Sequence, residues 1–141
     1  MDKRFWIAGV AASVLFFVLG FIVHGVLLTN DYMQVKFLFR PEEAAMANLP
    51  VMTLAHVIMG FAFAWIYSRG VSDAPWWLQG LRFGVVTVLL VTVPWYLIYY
   101  SVQPWPAATT SKQIIYDGIS MVIVALVVAF IYKPTSSRDL S

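Results

Sequence analysis

Three ionisable side chains, His24, His56 and Asp117, occur inside stretches of the chain that are otherwise apolar. An ionisable group at such a depth is costly when it faces lipid, so it usually faces the protein interior and pairs with a partner. An imidazole beside a carboxylate can take up and release protons in the physiological range. These residue types therefore indicate a polar cluster that acts on a proton, a ligand or a metal ion.

The three residues lie at similar depths if each apolar stretch is a helix. At a rise of about 1.5 Å per residue, each lies about 6–9 Å inside the end of its segment, and the three ends belong to one side of the membrane. The third apolar segment places Tyr96 and Tyr99 at the same depth. The sequence thus predicts one polar cluster near the outer face, made of His24, His56, Asp117, Tyr96 and Tyr99.

Three interpretations of this cluster stay open. It is a hydrogen-bonded pin that holds the helices in one register, because polar side chains link membrane helices. Alternatively, it is a proton- or ligand-handling site that opens to the outer side. In the third interpretation, His24, His56 and Asp117 bind zinc or copper, or the two histidines bind haem. No cofactor is favoured, since no local motif such as H-E-x-x-H accompanies these residues.

The composition indicates which class of protein positions the cluster. Of 141 residues, 61% are hydrophobic and 11% are charged, whereas about 25% are charged in a soluble domain. The net charge of +2 is too small to indicate nucleic-acid binding. The chain has no cysteine, which excludes disulfides and thiolate metal sites. We therefore expect a single-domain integral membrane protein.

Four apolar segments have the length of a membrane span, about 20 helical residues. We expect helices over about 5–28, 51–68, 76–102 and 113–132. Short connections make neighbouring helices antiparallel. The predicted fold class is therefore all-α, with four transmembrane helices in one antiparallel bundle over residues 1–133.

Two segments lie outside these spans. The outer loop, 29–50, contains Pro41 followed by Glu42 and Glu43, a pattern typical of a helix start. It predicts a helix over 41–49, either an interfacial helix or an outward extension of the second helix with a kink at Pro50. The last residues, 134–141, are polar and are predicted to be disordered.

Lysine and arginine predict the orientation, because they concentrate in cytoplasmic loops. Six of the nine cations fall on one side, and that side carries both termini. They are Lys3, Arg4, Arg69, Arg82, Lys133 and Arg138, against Lys36, Arg40 and Lys112 on the other. Both termini are therefore predicted to be cytoplasmic.

Small residues indicate the faces on which the helices pack, since membrane helices associate where their backbones approach closely. In the first helix, three small residues share a face with His24. The third helix begins with a Gly-x-x-x-Gly pair. The expected packing residues are Gly9, Ser13, Gly20, Gly80 and Gly84.

Pro94 interrupts the third apolar segment eight residues before its end. A proline inside a helix removes one backbone hydrogen bond. This predicts a kink that opens the outer half of the bundle.

The stretch H-G-V-L-L-x-x-x-Y at residues 24–32, the further helices and G-L-R-F-G at residues 80–84 resemble families of small bacterial inner-membrane proteins of unknown function. The resemblance covers residues 5–133. It implies a four-helix, multi-pass fold in the bacterial inner membrane, and it implies no activity.

The sequence favours a non-enzymatic membrane protein with a polar site near its outer face, either an accessory subunit or a homo-oligomer. Little of the chain lies outside the apolar segments, so the expected partners are the lipid bilayer and other membrane helices rather than nucleic acid. One alternative is a redox protein that binds haem or a metal through His24 and His56. Another is a small proton-linked transporter or channel subunit.

Overall fold

The structure, a computed structural model, describes residues 2–134 of the chain. All regular secondary structure within that range is helical. Four long helices dominate it: α1 (Lys3–Leu27), α2 (Leu49–Arg69), α3 (Trp76–Val102) and α4 (Ala107–Tyr132). Each is long and apolar enough to cross a membrane. The predicted all-α class with four helices of spanning length is confirmed.

The fourth helix begins earlier than the predicted start at 113. It starts at Ala107, directly after Pro106, so the connection before it is confined to 103–106. Hydropathy marks only the apolar part of a helix, whereas the first turns of α4 are polar, and Ser111 Oγ donates to the Ala107 carbonyl at 2.9 Å. Asp117 consequently lies about 15 Å from the start of its helix, deeper along it than the sequence predicts.

The connection between α1 and α2 contains more helix than expected. Its parts are Thr29–Met33, a 3-10 turn at Lys36–Leu38, and Glu42–Ala47. The last of these occupies most of the helix predicted over 41–49, and the first was not predicted. At the other end of the chain, α4 ends at Tyr132, and the predicted disordered tail lies outside the described residues from 135 onward.

The helices form two antiparallel pairs, α1 with α2 and α3 with α4, and α1 also packs against α4 at the centre. Arg4, near the start of α1, donates to the carbonyl of Tyr132 at the end of α4 over 3.4 Å. We call this end of the bundle, with Lys3, Arg69 and Tyr132, the termini end. The opposite end, with residues 28–48 and 103–106, is the loop end.

Glycines allow the paired helices to approach closely. A Cβ atom at Gly60 would lie 2.4 Å from the backbone nitrogen of Ser13, and one at Gly9 would lie 2.4 Å from the Phe61 ring. A Cβ atom at Gly80 or Gly84 would come within 3.0 Å of α4. The predicted packing residues Gly9, Ser13, Gly80 and Gly84 therefore lie in helix contacts, whereas Gly20 faces His56.

The apolar core lies mainly in the half of the bundle nearer the termini. Small side chains from α1, α2 and α4 interdigitate there with aromatic rings: Phe5, Ala8, Ala12, Phe16, Phe63, Ala64, Tyr67, Val124, Ala125, Val128 and Ala129. The Phe83 ring of α3 contacts Phe63 and Tyr67 of α2, with ring centroids 4.7 and 5.3 Å apart. These contacts close the bundle at the termini end.

Two π-helical turns interrupt the long helices toward the loop end, at Phe21–Leu27 in α1 and Val88–Thr92 in α3. In the first, the Leu28 amide bonds the Val23 carbonyl at 2.9 Å, five residues back. The second directly precedes the segment that contains Pro94. The kink predicted at Pro94 stays a prediction, and the regular helix resumes at Val93.

Gly60→Ala should destabilise the protein by about 1–3 kcal/mol, because the new methyl group would meet the Ser13 backbone, which cannot move aside. The measurement is the thermal unfolding midpoint in detergent. Gly118→Ala is the matched control, since its Cβ would lie 3.5 Å from Val88, an ordinary contact. Equal midpoints for the two variants would contradict the close α1–α2 packing.

Candidate functional site

Asp117, on α4, is the centre of a hydrogen-bonded cluster that joins three helices. The Nε2 atom of His24, on α1, lies 3.2 Å from Asp117 Oδ2, and the two side chains are 38% and 21% exposed. The hydroxyl of Tyr96, on α3, donates to the same oxygen. Sequence depth predicted that these three residues meet, and the structure brings them together.

The polar chain continues from His24 toward the loop end. Gln113 Nε2 donates to the Tyr32 hydroxyl oxygen at 3.2 Å, and Tyr32 in turn contacts His24 Nδ1. Since an amide nitrogen only donates, the Tyr32 proton is free to point to Nδ1. A neutral His24 then donates from Nε2 to Asp117, and every donor of the chain has an acceptor.

Tyr32 is held in place by two aromatic rings of the loop end. Its ring centroid lies 5.1 Å from that of Phe39 and 5.8 Å from that of Trp105. Burial raises the pKa of Tyr32 to about 12, so Tyr32 stays a hydroxyl at working pH. Sequence reasoning did not find the contact of Tyr32 with His24 and Gln113, because the position of Tyr32 depends on how residues 28–35 fold back.

His56 lies apart from the cluster and has a different partner. Its Nδ1 atom is 2.7 Å from the Met52 carbonyl. A carbonyl oxygen only accepts, so Nδ1 carries the proton and a neutral ring has a lone pair on Nε2. That atom lies toward Gly20, 3.5 Å from where a Cβ would stand, and the ring contacts Phe17 edge-on.

A cavity of about 220 Å³ separates His56 from the Asp117 cluster. Its remaining walls are mostly apolar: Phe16, Gly20, Met59, Val91, Thr92, Trp95, Ser120 and Met121. Three of these residues, Met59 of α2 with Val91 and Trp95 of α3, are also 38–57% exposed. The cavity therefore opens sideways between α2 and α3, at the level of the apolar surface.

A second cavity, the vestibule, lies at the loop end and has a volume of about 650 Å³. The cations Lys36 and Arg40 line it together with Tyr32 and His24. His24 is thus a wall of both cavities. Its ring connects the vestibule with the interior of the bundle.

Tyr99 does not join the predicted cluster. Its side chain is 37% exposed, and its ring contacts Trp95 at a centroid distance of 5.4 Å. Tyr99 follows Tyr96 by three residues, which leaves it about 60° around the helix, on the outward side. Including Tyr99 in the cluster was therefore wrong.

The predicted three-ligand metal site is not formed. Within residues 2–134, no three His, Cys, Asp or Glu side chains are close enough to hold a metal ion. His24 and Asp117 are paired with each other, whereas His56 lines the cavity from α2 and bonds the Met52 carbonyl. The donor set His24, His56 and Asp117 does not converge on one point.

Comparison with known proteins assigns no family to this chain. The chain matches no protein-family model, no curated protein and no solved structure. The resemblance of residues 24–32 and 80–84 to small bacterial inner-membrane proteins stays a prediction. The evidence on function is therefore the geometry and chemistry of the site.

Tyr32→Phe should lower the unfolding midpoint at pH 8, since it removes the hydroxyl between Gln113 and His24. The difference from the wild-type protein should shrink as the pH rises from about 10 toward 12. An unfolded tyrosine ionises near pH 10, whereas burial raises the pKa of Tyr32 in the folded protein to about 12. The stability that neutral Tyr32 contributes is thus complete below pH 10 and is lost above it.

Unfolding midpoints in detergent between pH 8 and 11.5 measure this difference, and groups common to both proteins cancel in it. Tyr100→Phe removes an exposed hydroxyl and serves as the control. A wild-type–Tyr32→Phe difference that stays constant across this range would contradict the burial of Tyr32.

Proposed function

We propose that this chain is a non-catalytic, multi-pass membrane protein that binds a small molecule in the cavity between His56 and Asp117. The observation that carries the proposal is a set of polar groups on otherwise apolar walls, inside a bundle of four span-length helices. Apolar pockets with a few convergent polar groups are the usual form of a small-molecule site. The volume of about 220 Å³ suits a single substituted ring, since a cavity of about 150 Å³ can bind benzene.

Binding rather than catalysis is favoured by the state of the nearby hydroxyls. Ser120 Oγ, at the cavity, donates to the Tyr116 carbonyl at 2.9 Å. Ser13 Oγ donates to the Gly9 carbonyl at 2.7 Å. Both serines thus bond the backbone of their own helix, as serine in membrane helices commonly does, and neither is held against a histidine as a nucleophile.

The location we propose is the bacterial inner membrane, with both termini in the cytoplasm. The distribution of lysine and arginine supports this orientation, because Lys3, Arg69 and Lys133 lie at the termini end and Lys36 and Arg40 at the loop end. The exposed apolar side chains of the long helices are suited to lipid and to other membrane helices, as an accessory subunit or a homo-oligomer requires. The vestibule then faces the outside.

Gly20→Ala tests the site by filling it. The new methyl group would stand 3.5 Å from His56 Nε2, so the fold tolerates it, but it occupies part of the cavity. The probe is 4-propylphenol, one apolar ring with one hydroxyl, titrated by calorimetry into protein in lipid nanodiscs. We expect saturable binding to the wild-type protein and at least about tenfold weaker binding to Gly20→Ala, a loss of about 1.4 kcal/mol.

Gly118→Ala is the control, because its methyl group makes the same 3.5 Å type of contact in a groove outside the cavity. It should bind the phenol as the wild-type protein does. Heat from empty nanodiscs accounts for partition into lipid. If the wild-type protein shows no saturable binding, or Gly20→Ala binds equally well, the proposed function is refuted.

A second candidate, proton-linked transport, is favoured by one observation: His24 lines both the vestibule and the cavity. Imidazole is a common carrier in proton relays, and in this candidate His24 is the group through which protons pass between the two cavities. Liposomes that contain the protein and an internal pH dye should acidify faster than empty ones after an external shift from pH 8 to 6. His24→Gln should remove the difference, and flux equal to that of empty liposomes would exclude this candidate.

A further inference from the structure

The polar groups deepest in the cavity, His56, Asp117 and Ser120, leave mainly acceptors for a ligand. The Nδ1–H group of neutral His56 donates to the Met52 carbonyl. The lone pair of Nε2 is therefore left to accept a hydrogen bond from a ligand. Asp117 receives His24 and Tyr96 on Oδ2, and no donor among residues 2–134 contacts its Oδ1. The Ser120 hydroxyl donates to the Tyr116 carbonyl, so towards a ligand it can act only as an acceptor.

The two main acceptors, His56 of α2 and Asp117 of α4, line the cavity from different helices. Tyr96 and His24 do not offer a donor to a ligand carbonyl, because both point to Asp117. Thr92 is the remaining hydroxyl of the lining and can donate or accept, and Trp95, 57% exposed at the side opening, adds an indole N–H donor. A ligand that fits the two main acceptors donates one hydrogen bond to each of them.

The apolar walls indicate the shape of the ligand between these donors. Phe16, Trp95 and the Tyr96 ring line the cavity and suit a flat ring, since aromatic rings pack by stacking or edge contacts. The side opening between α2 and α3, at Met59, Val91 and Trp95, lies on the apolar surface of the bundle. A molecule that travels in the bilayer can enter there, and its tail can stay in lipid.

The charge of the site favours a neutral ligand over a cation. Asp117 is already compensated by two hydrogen bonds on Oδ2, and a cation would lose its hydration in an apolar cavity. We propose that the cavity binds a membrane-borne quinol, a ring with two opposite hydroxyls, in preference to the oxidised quinone. This proposal rests on the proposed function and specifies its ligand class.

The test compares a decyl-substituted benzoquinol with the benzoquinone formed by its oxidation, both titrated into the full chain in lipid nanodiscs by calorimetry. The two probes have nearly the same size, but the quinol has two donors where the quinone has two acceptors. We expect the quinol to bind at least about tenfold more tightly, because a hydrogen bond to a charged acceptor is stronger than one between neutral groups. A reductant keeps the quinol reduced during the titration.

His56→Phe separates the acceptor from the fold, because the ring keeps its contact with Phe17 while Nε2 is lost. In this variant the preference for quinol should fall to within about threefold, while quinone binding stays near the wild-type value. An unchanged preference would remove His56 from the site. The comparison of quinol with quinone on the wild-type protein needs no variant and stands even if His56→Phe unfolds.

The outcomes distinguish this inference from the proposed function. If quinone binds as tightly as quinol, or benzylamine binds more tightly than both, the quinol inference is refuted. The cavity still stands as a binding site in that case, provided Gly20→Ala weakens the probe that binds. If 4-propylphenol binds and neither decyl probe does, the quinol inference alone fails. If no probe binds, both proposals fail.

Discussion

A carboxylate inside an apolar helical bundle must be paired, and the pairing of Asp117 organises the loop half of this protein. Its donors come from α1 and α3, so one oxygen of α4 joins three helices. Breaking such a pair leaves a charge without compensation, which costs far more than the net value of the intact pair. The connection after α1 serves the same arrangement, since Asp31 pairs with Lys112 at 2.8 Å and thereby holds Tyr32 over His24.

The two halves of the bundle use different means of association. Toward the termini end, Gly60 and Gly84 let backbones touch, which is the close packing typical of helices that associate in lipid. Toward the loop end, the π turns at Phe21–Leu27 and Val88–Thr92 border the cavity. A π turn inserts a residue and gives up regular helix geometry, and such turns are frequent at functional sites. The protein thus stabilises one half and leaves room in the other.

The features that could be predicted from the sequence are those that depend on the length of the apolar segments and on the depth of a residue within them. The depth of ionisable residues within apolar segments predicted that His24, Asp117 and Tyr96 would meet. The contacts of Tyr32 with His24 and Gln113 were missed because they depend on a folded-back connection, which has no periodic signal. The early start of α4 was missed because its first turns are polar, and hydropathy reports solvent preference rather than helix content. The π turn of α1 contains no proline, so its position could not be predicted from a helix-breaking residue.

The position of His24 links the two candidate activities physically. When the imidazole is neutral, its Nδ1 atom accepts a hydrogen bond from Tyr32 and its Nε2–H group donates to Asp117. A proton added to Nδ1 from the vestibule would reverse the bond with Tyr32, and it would turn the bond with the Asp117 carboxylate into an ion pair with charge on both partners. Asp117 then holds less of its charge for a donor in the cavity. Proton uptake on one side and binding of a two-donor ligand on the other therefore oppose each other, and linkage makes this opposition reciprocal.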